Sequence, residues 1–324
     1  LREKEEFLQG YDPERLQEIM CAPRLEGGKF YLREGIFIFN RNAIIETYKE
    51  YGKKLEEFIQ DTRRFMRENI GKKRILLEGA QGLLLSVEHG AHPYVTSSDC
   101  SIEGLARGVG IKERDVDKVL GIVKAFYMTR VGEGAFPTEI GGQEAAQGCA
   151  RMSREQEQMQ FPSPNINSVN LMEQNSAIRR AGNEYGATTG RPRRIGWLDL
   201  PLLRHAIQTN GPEVILTKVD VLNECDEIKI CTAYTYEGPT RREGAKIIET
   251  GEMLALAPMQ EEVLRHCQPY YTIFPVWKSD IREIKKYEHL PLRLQQMIHF
   301  VEEQTSVNVR MISVGPEREQ TIMR

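Results

Sequence analysis

At 324 residues, 40% hydrophobic and 28% charged, the chain has a globular composition and enough length to bury a large core. A net charge of −3 leaves no basic excess for nucleic acid and no acidic tail for solvation. No apolar run approaches the about 18 residues of a membrane span, and six cysteines without a C-x-x-C or a dense framework point to reduced thiols in a cytoplasmic protein.

Residues 1–40 are charged and broken by Pro13, Pro23 and Gly27-Gly28, with a short helix expected near Glu14–Met20 and either a strand pair or a loop over Lys29–Asn40. From Ala43 to Ile70 the apolar positions Ile45, Tyr48, Leu55, Phe58, Ile59, Phe65 and Met66 fall on helical spacing. They predict one long amphipathic packing helix, kinked if anywhere at Gly52 and stopped by Gly71. Arg74–Glu78 reads as a short apolar strand running into the Gly79–Gly82 turn, where an α/β sheet presents ligand contacts. In that turn the Gln81 amide can both donate to and accept from a purine edge, although a plain strand–helix turn explains it equally well. The hydroxyls of Thr96, Ser97 and Ser98 precede a small-residue helix (Ile102, Leu105, Ala106, Val109) and read as its cap, a place where phosphate can also bind. The pair His89 and His92 lacks a cysteine or further carboxylate partner and is a weak zinc signal.

Val116–Phe126 is a second buried-strand candidate, leading to Thr129–Gly134, whose Gly-x-Gly is more often a turn than a nucleotide loop. Residues 141–181 are rich in Gln, Ser, Asn and Glu and predict a surface insertion, partly mobile, with one short helix. Gly182 to Asp199 (GNEYGATTGRPRRIGWLD) follows. Four glycines and Pro192 argue for an ordered loop, and two threonines with three arginines argue for a ligand rich in anionic oxygens. A surface turn with a solvated basic run is the alternative.

Leu198–Thr209 predicts a helix stopped at Asn210-Gly211, Val214–Leu216 a strand, and Ile228–Tyr236 a β-rich run able to pair beside it. Residues 238–258 read as loop with some strand. Helices near Glu261–Cys267 and Leu292–Gln304 frame Tyr271–Trp277, and Val307–Ile312 is strand-like. Thr217-Lys218-Val219-Asp220 directly follows a strand. A carboxylate there can accept from both the N1–H and the 2-amino group of guanine, a donor pair that adenine lacks, while the lysine stem lies along the base. Ser313-Val314-Gly315 could offer backbone groups to the same base. Alternating strands and helices give an α/β class, with a mostly parallel central sheet flanked by helices, in one big domain or two.

Gly-Ala-Thr-Thr-Gly-Arg-Pro-Arg-Arg (186–194) followed by Gly-Trp-Leu-Asp (196–199) resembles the aspartate-binding loop of the adenylosuccinate synthetases. The resemblance runs from about Glu78 to the C-terminus, with a looser match over residues 1–77. It implies a P-loop-NTPase-like fold in a single domain over 1–324 with its N-terminal part missing, a cytoplasmic homodimer, and a ligase of AMP biosynthesis that joins IMP to L-aspartate using GTP and Mg²⁺. The γ-phosphoryl passes to the 6-oxygen of IMP, and the aspartate amine then displaces phosphate. Carried over, Gln81, Thr96, Val131, Gly132 and Arg191 resemble IMP contacts. Ala187, Thr188, Thr189, Gly190, Arg191, Pro192 and Arg193 resemble the aspartate loop. Arg193, Lys218, Val219, Asp220, Ser313, Val314 and Gly315 resemble the GTP contacts.

The departures are as informative. The family's Gly-Asp-Glu-Gly-Lys-Gly-Lys phosphate loop, with its catalytic base and magnesium ligand, and the Gly-His-Thr with its catalytic acid are absent from these 324 residues. So is the loop that lends an arginine to the neighbouring subunit. With Leu1 at the start, an N-terminally truncated sequence is the expectation, with no catalytic or metal-ligating residue in this chain and no turnover by it alone. Ser86 stands where the family usually has an acid, Asp99 where it usually has Asn, and 141–181 is longer than usual. Two other readings stay open: a related ligase using a guanine-type monophosphate, and a non-catalytic nucleotide-binding paralogue.

Overall fold

The computed structural model describes residues 30–33, 36–39, 41–186, 190–243 and 246–324; the helix expected near Glu14–Met20 lies outside them. The chain divides into two compact units, Leu1–Phe65 and Met66–Arg324. In the first, β1 (Phe30–Arg33) and β2 (Ile36–Phe39) pair antiparallel with Phe30 opposite Phe39, the strand pair that was one of the two options for this stretch. Helix α1 (Arg41–Leu55) runs through Gly52 without stopping and places Lys53 and Lys54 at its negative end. The single long helix expected here is two. A 3₁₀ turn at Glu56–Phe58 leads to an extended Ile59, and α2 begins at Thr62 and ends at Asn69. Asp61 restarts the helix by accepting the Arg64 N–H on its carboxylate at 3.0 Å, so an N-cap overrides a continuous apolar spacing. Tyr48, Phe58 and Ile59 are 60, 70 and 72% exposed, so the stripe read as a packing face points outward.

The second unit holds two mixed sheets. One has the order β13-β12-β6-β3, built from β3 (Gly121–Lys124), β6 (Glu213–Thr217), β12 (Asn308–Ser313) and β13 (Thr321–Met323). Both β3 and β12 run parallel to β6. The other joins β4 (Tyr127–Arg130), β5 (Arg194–Asp199), β7 (Glu227–Tyr236), β10 (Met253–Leu254) and β11 (Cys267–Pro275), with only β5–β7 parallel. The α/β class holds, with mixed rather than mostly parallel sheets. The run 228–236 lies in this second sheet, not beside 214–216 as expected. A short antiparallel pair, Arg241–Glu243 with Lys246–Ile248, stands apart.

Three strand expectations change. Arg74–Glu78 forms no strand, with Leu76 89% exposed, because no described strand lies beside it to take its backbone hydrogen bonds. The candidate 116–126 shortens to β3. Arg194–Asp199, read as loop, is a wholly buried strand. Its Gly196 is needed for packing: a Cβ there would fall 2.5 Å from the Phe136 ring.

Residues 141–181 fold into three helices rather than one, α3 (Gly142–Arg151), α4 (Arg154–Gln160) and α5 (Leu171–Ala181). Ser153 and Gln156 form a capping box on α4, and Asn170 caps α5. Polar composition hid them because these helices bury polar groups: Asn175, Ser176 and Arg179 of α5 are all inside. The helix Ile102–Val109 forms as expected, but its cap is Ser101, which accepts the Gly104 N–H at 3.1 Å, not the 96–98 hydroxyls. Leu200–Asn210 is helical, with Asp199 accepting the Leu202 N–H at 3.1 Å and Gly211 ending it. The helix Leu292–Thr305 buries Leu294, Met297, Ile298 and Val301, a 3.6-residue stripe, against the main core. The helix near Glu261 has only four residues, because Cys267 already starts β11.

Candidate functional site

The parallel strands bring three loops to one edge. Lys124, the last residue of β3, lies opposite Thr217 of β6, and Ile312 of β12 lies opposite Leu216. Thr217–Asp220 and Ser313–Gly315 therefore leave the same carboxyl edge of one sheet, where open α/β sheets bind ligands. Lys218 has a left-handed backbone (φ +59°), a conformation that costs a non-glycine residue about 1–2 kcal/mol. Its ammonium is held in that position by hydrogen bonds to the Gly182 carbonyl and an ion pair with Glu184. Val219 and Val314 are fully buried, so only their backbones can face a ligand, and the Val314 N–H already donates to the Gln320 carbonyl. The Ser313 hydroxyl donates to the Gly315 carbonyl at 2.8 Å. Asp220 is half-buried. Burial raises its carboxyl pKa against the pull of its own backbone N–H, Arg282 and Lys218.

Glu184, which the sequence reading passed over, is the hub. Its side chain is wholly buried. Oε2 receives Arg193 at 2.6 Å and Lys124 at 3.0 Å; Oε1 receives the Tyr127 hydroxyl at 2.8 Å and Lys218 at 3.1 Å. Burial alone would raise its pKa, but Lys124, Tyr127 and Lys218 together hold it down to about 2. Burial dominates for Lys124, whose pKa falls to about 8 because one carboxylate shared among three cations restores only part of the lost hydration. The same burial, with Glu184 alongside, pushes the Tyr127 phenol far up. An acid inside an otherwise basic, glycine-rich stretch was the one available signal for Glu184. For Lys124 it was a lone lysine at the end of an apolar strand.

The three arginines have separate environments. Arg191 is exposed. Arg193 is 30% exposed and faces Glu184. Arg194 is buried in a two-pronged pair with Glu139 (2.8 and 2.6 Å) and donates to the Gly132 and Gly134 carbonyls at 3.1 and 2.8 Å. It thus shapes the turn that carries Val131 and Gly132, with Val131 49% exposed. The loop closes on itself: the Gly186 N–H donates to the Arg191 carbonyl, the Gly190 N–H to the Gly186 carbonyl, and Tyr185 bridges Pro192, which is buried. Ala187, Thr188 and Thr189 lie outside the described residues; Gly190 has φ +64° with open space around it. Beneath the loop, Arg179 of α5 donates to the Arg193 carbonyl at 2.7 Å and pairs with buried Glu157 of α4, which accepts from the Tyr185 hydroxyl at 2.7 Å.

A third group gathers around Gln81, which is exposed with φ +66°. The Cys100 thiol spans from Gln81 Oε1 (3.8 Å) to the Ser98 carbonyl (3.7 Å), and the Thr96 hydroxyl donates to the Leu85 carbonyl at 3.1 Å. The two departures Ser86 and Asp99 are one contact: the Ser86 hydroxyl donates to Asp99 at 3.3 Å. His92 bonds the Val87 carbonyl, and His205 donates to the His89 carbonyl. Among the described residues no three His, Cys, Asp or Glu side chains form a group that could hold a metal ion. Cys100, Cys149, Cys225 and Cys231 are free thiols.

Set against known proteins, residues 12–322 match the family described as adenylosuccinate synthetase. The chain is 39% identical over 283 residues to the adenylosuccinate synthetase of Geobacter metallireducens, covering 87% of this chain and 56% of that protein. It is 36% identical over 313 residues to that of Chlorobium chlorochromatii, covering 96% and 61%. Among solved structures, a fully ligated adenylosuccinate synthetase from Plasmodium falciparum superposes with a TM-score of 0.70 at 30% identity, over 89% of this chain and 59% of that one. The chain therefore spans little more than half the length of these relatives. Loop sequence, sheet-edge geometry and a match over nearly every residue agree: the chain belongs to the adenylosuccinate synthetase family.

Proposed function

We propose that this chain carries the IMP-, aspartate- and guanine-binding part of a GTP-dependent ligase that forms adenylosuccinate from IMP and L-aspartate. In this reading Lys218 and Asp220 read the guanine, with Ser313–Gly315 beside them. Arg191 and Arg193 take the dicarboxylate and the transferring phosphoryl group, and Gln81, Thr96, Val131 and Gly132 take IMP. The working assembly is a homodimer in the cytoplasm. The observation that carries the reading is the convergence of Lys124, Arg193 and Lys218 on one buried carboxylate at the carboxyl edge of β3, β6 and β12. Three cations share one carboxylate near Asp220, the group this reading assigns to guanine's donor pair, a setting that suits an anionic purine nucleotide.

The chemistry asked of these residues is positioning and charge stabilisation. Arginines offset charge on the phosphoryl group passing to the 6-oxygen of IMP, and the aspartate amine is held to displace phosphate. Mg²⁺ supplies further charge neutralisation in such transfers. Among the described residues no three His, Cys, Asp or Glu side chains gather to hold a metal ion, and none of the roles above passes through it.

Calorimetric titration of the polypeptide with GDP and ADP tests the reading. GDP binds in clear preference, and Asp220→Asn removes that preference by about tenfold or more while leaving IMP binding nearly unchanged. Equal affinity of the unaltered protein for GDP and ADP refutes it. A guanine-type monophosphate in place of IMP is a second reading, favoured by the Ser86–Asp99 exchange so close to Gln81 and Cys100; binding of dGMP but not IMP would select it.

A further inference from the structure

We propose that Glu184 is a positioning residue that couples the arginine loop to the guanine-reading loop, so that one carboxylate sets the geometry of both the aspartate and the guanine contacts. The proposal rests on the assignment of Arg193 and Lys218 to those ligands. Glu184 touches neither ligand in that reading; it acts through the cations it holds.

Its four partners come from four separate segments. Lys124 ends β3, Tyr127 begins β4, Arg193 closes the arginine loop, and Lys218 follows β6. A carboxylate has about four lone-pair sites, and all are taken here, two on each oxygen. The backbone of Glu184 is tied down as well. Its N–H donates to the Arg179 carbonyl at 2.8 Å, and its carbonyl accepts the Arg193 N–H at 3.0 Å. The acid is therefore fixed from both chain and side chain, while Lys124, Arg193 and Lys218 remain 24, 30 and 37% exposed and present their outer faces to the sheet edge.

The electrostatics give the coupling its direction. With Glu184 ionised, three like charges share one counter-ion and are drawn together. Without that charge they repel one another across the same few ångströms in a half-buried setting, where screening by water is weak. Arg193 and Lys218 would then swing outward together, and both contacts would loosen at once. Glu184 makes no hydrogen bond or ion pair with Gln81, Thr96, Val131 or Gly132, and of the IMP contacts only Arg191 lies on the arginine loop, so IMP is the ligand least affected and serves as the comparison.

The test is titration of the polypeptide with aspartate, GDP and IMP in wild type, Glu184→Gln, Arg193→Leu and Lys218→Met. Glu184→Gln is expected to weaken aspartate and GDP alike by about tenfold or more, with IMP within about twofold. General damage to the fold would lower all three. The losses from Arg193→Leu and Lys218→Met on GDP are expected to be non-additive when Glu184 is present and additive when it is Gln, a readout that a merely structural role would not move. If Glu184→Gln does not fold, Glu184→Asp decides in the same way. Its shorter stem keeps the charge but cannot reach all four partners, so joint weakening of aspartate and GDP supports the proposal, and wild-type binding of both overturns it. If Arg193→Leu and Lys218→Met each lose their ligand while Glu184→Gln binds both like wild type, the coupling is wrong and the functional reading stands. If the two single variants leave both affinities untouched, the functional reading fails and the coupling fails with it.

Discussion

At the scale of single residues, the arginine triplet shows how much neighbouring positions can differ. Arg191 is exposed, Arg193 meets a buried acid, and Arg194 is buried against the 132–134 turn. The Arg194–Glu139 pair is nearly closed off from water, at 9 and 4% side-chain exposure. Removing one partner of such a pair strands the other as an uncompensated buried charge. Arg194→Met is expected to cost about 3–5 kcal/mol of stability. It would also release the carbonyls of Gly132 and Gly134, which no other side chain is recorded as binding. Chemical denaturation of wild type and variant measures the loss; a change below about 1 kcal/mol, the worth of an exposed pair, would refute the burial argument.

At the scale of elements, the strand-to-helix corner at Asp199 joins β5 to the helix Leu200–Asn210. The carboxyl is wholly buried. It caps the helix through the Leu202 N–H and accepts the Tyr234 hydroxyl at 2.7 Å. Burial raises its pKa to about 7, with Tyr234, Leu202 and Arg204 pulling the other way. A carboxyl with a raised folded pKa binds its proton more tightly in the native state. Its contribution to stability is fully present below the ordinary aspartate value and is lost as pH rises through about 7. Asp199→Asn can still cap the helix but cannot ionise. The stability of wild type relative to this variant is therefore expected to fall between about pH 4 and pH 7 and then level off. Thermal melts of both proteins across that range measure it, and a difference that stays constant with pH would show that Asp199 does not titrate there. The same corner shows what sequence reading could see at this scale. Asn210-Gly211 marked the end of the helix correctly, because a stop signal is local, but the start was read at Leu198, inside the strand, and the Asp199 cap was not seen. The strand before it was missed, since Gly196 in a loop and Gly196 under the Phe136 ring look alike until the ring is in place.

At the scale of the molecule, two features bear on what this polypeptide does alone. Edge strand β3 leaves Ile122 68% exposed, and the unpaired segment 74–78 leaves Leu76 89% exposed, so apolar surface stands open on the second unit. No helix among the described residues is long and apolar enough to cross a membrane. Under the function proposed above, the phosphate-loop and Gly-His-Thr motifs that the resemblance implies for the base, acid and magnesium ligand are not found in these 324 residues, whereas the motifs proposed for binding are. We therefore expect the 324-residue polypeptide to bind GDP and IMP but to form no adenylosuccinate by itself. A coupled assay with IMP, aspartate, GTP and Mg²⁺ decides this, and turnover at a rate ordinary for enzymes, about 1 s⁻¹ or above, would refute it.

The amino-acid order alone was enough for whatever depends on near neighbours. That covers the α/β alternation, the helices read at Leu198–Thr209 and Leu292–Gln304 and found within two residues of those bounds, the strand running into Thr217–Asp220, and the glycine-rich arginine loop with its family likeness. Long-range pairing decided the rest. Whether 74–78 is a strand depends on a partner, and which sheet takes 228–236 depends on β5. The polar helices of 141–181 became legible only as the bed on which Arg179 and Glu157 support the loop. Glu184 depended on folding most of all. It is one acid among many in the chain, and its place as hub exists only because three stretches distant in sequence, 124–127, 184–193 and the turn after β6 at Lys218, come within hydrogen-bond reach in space.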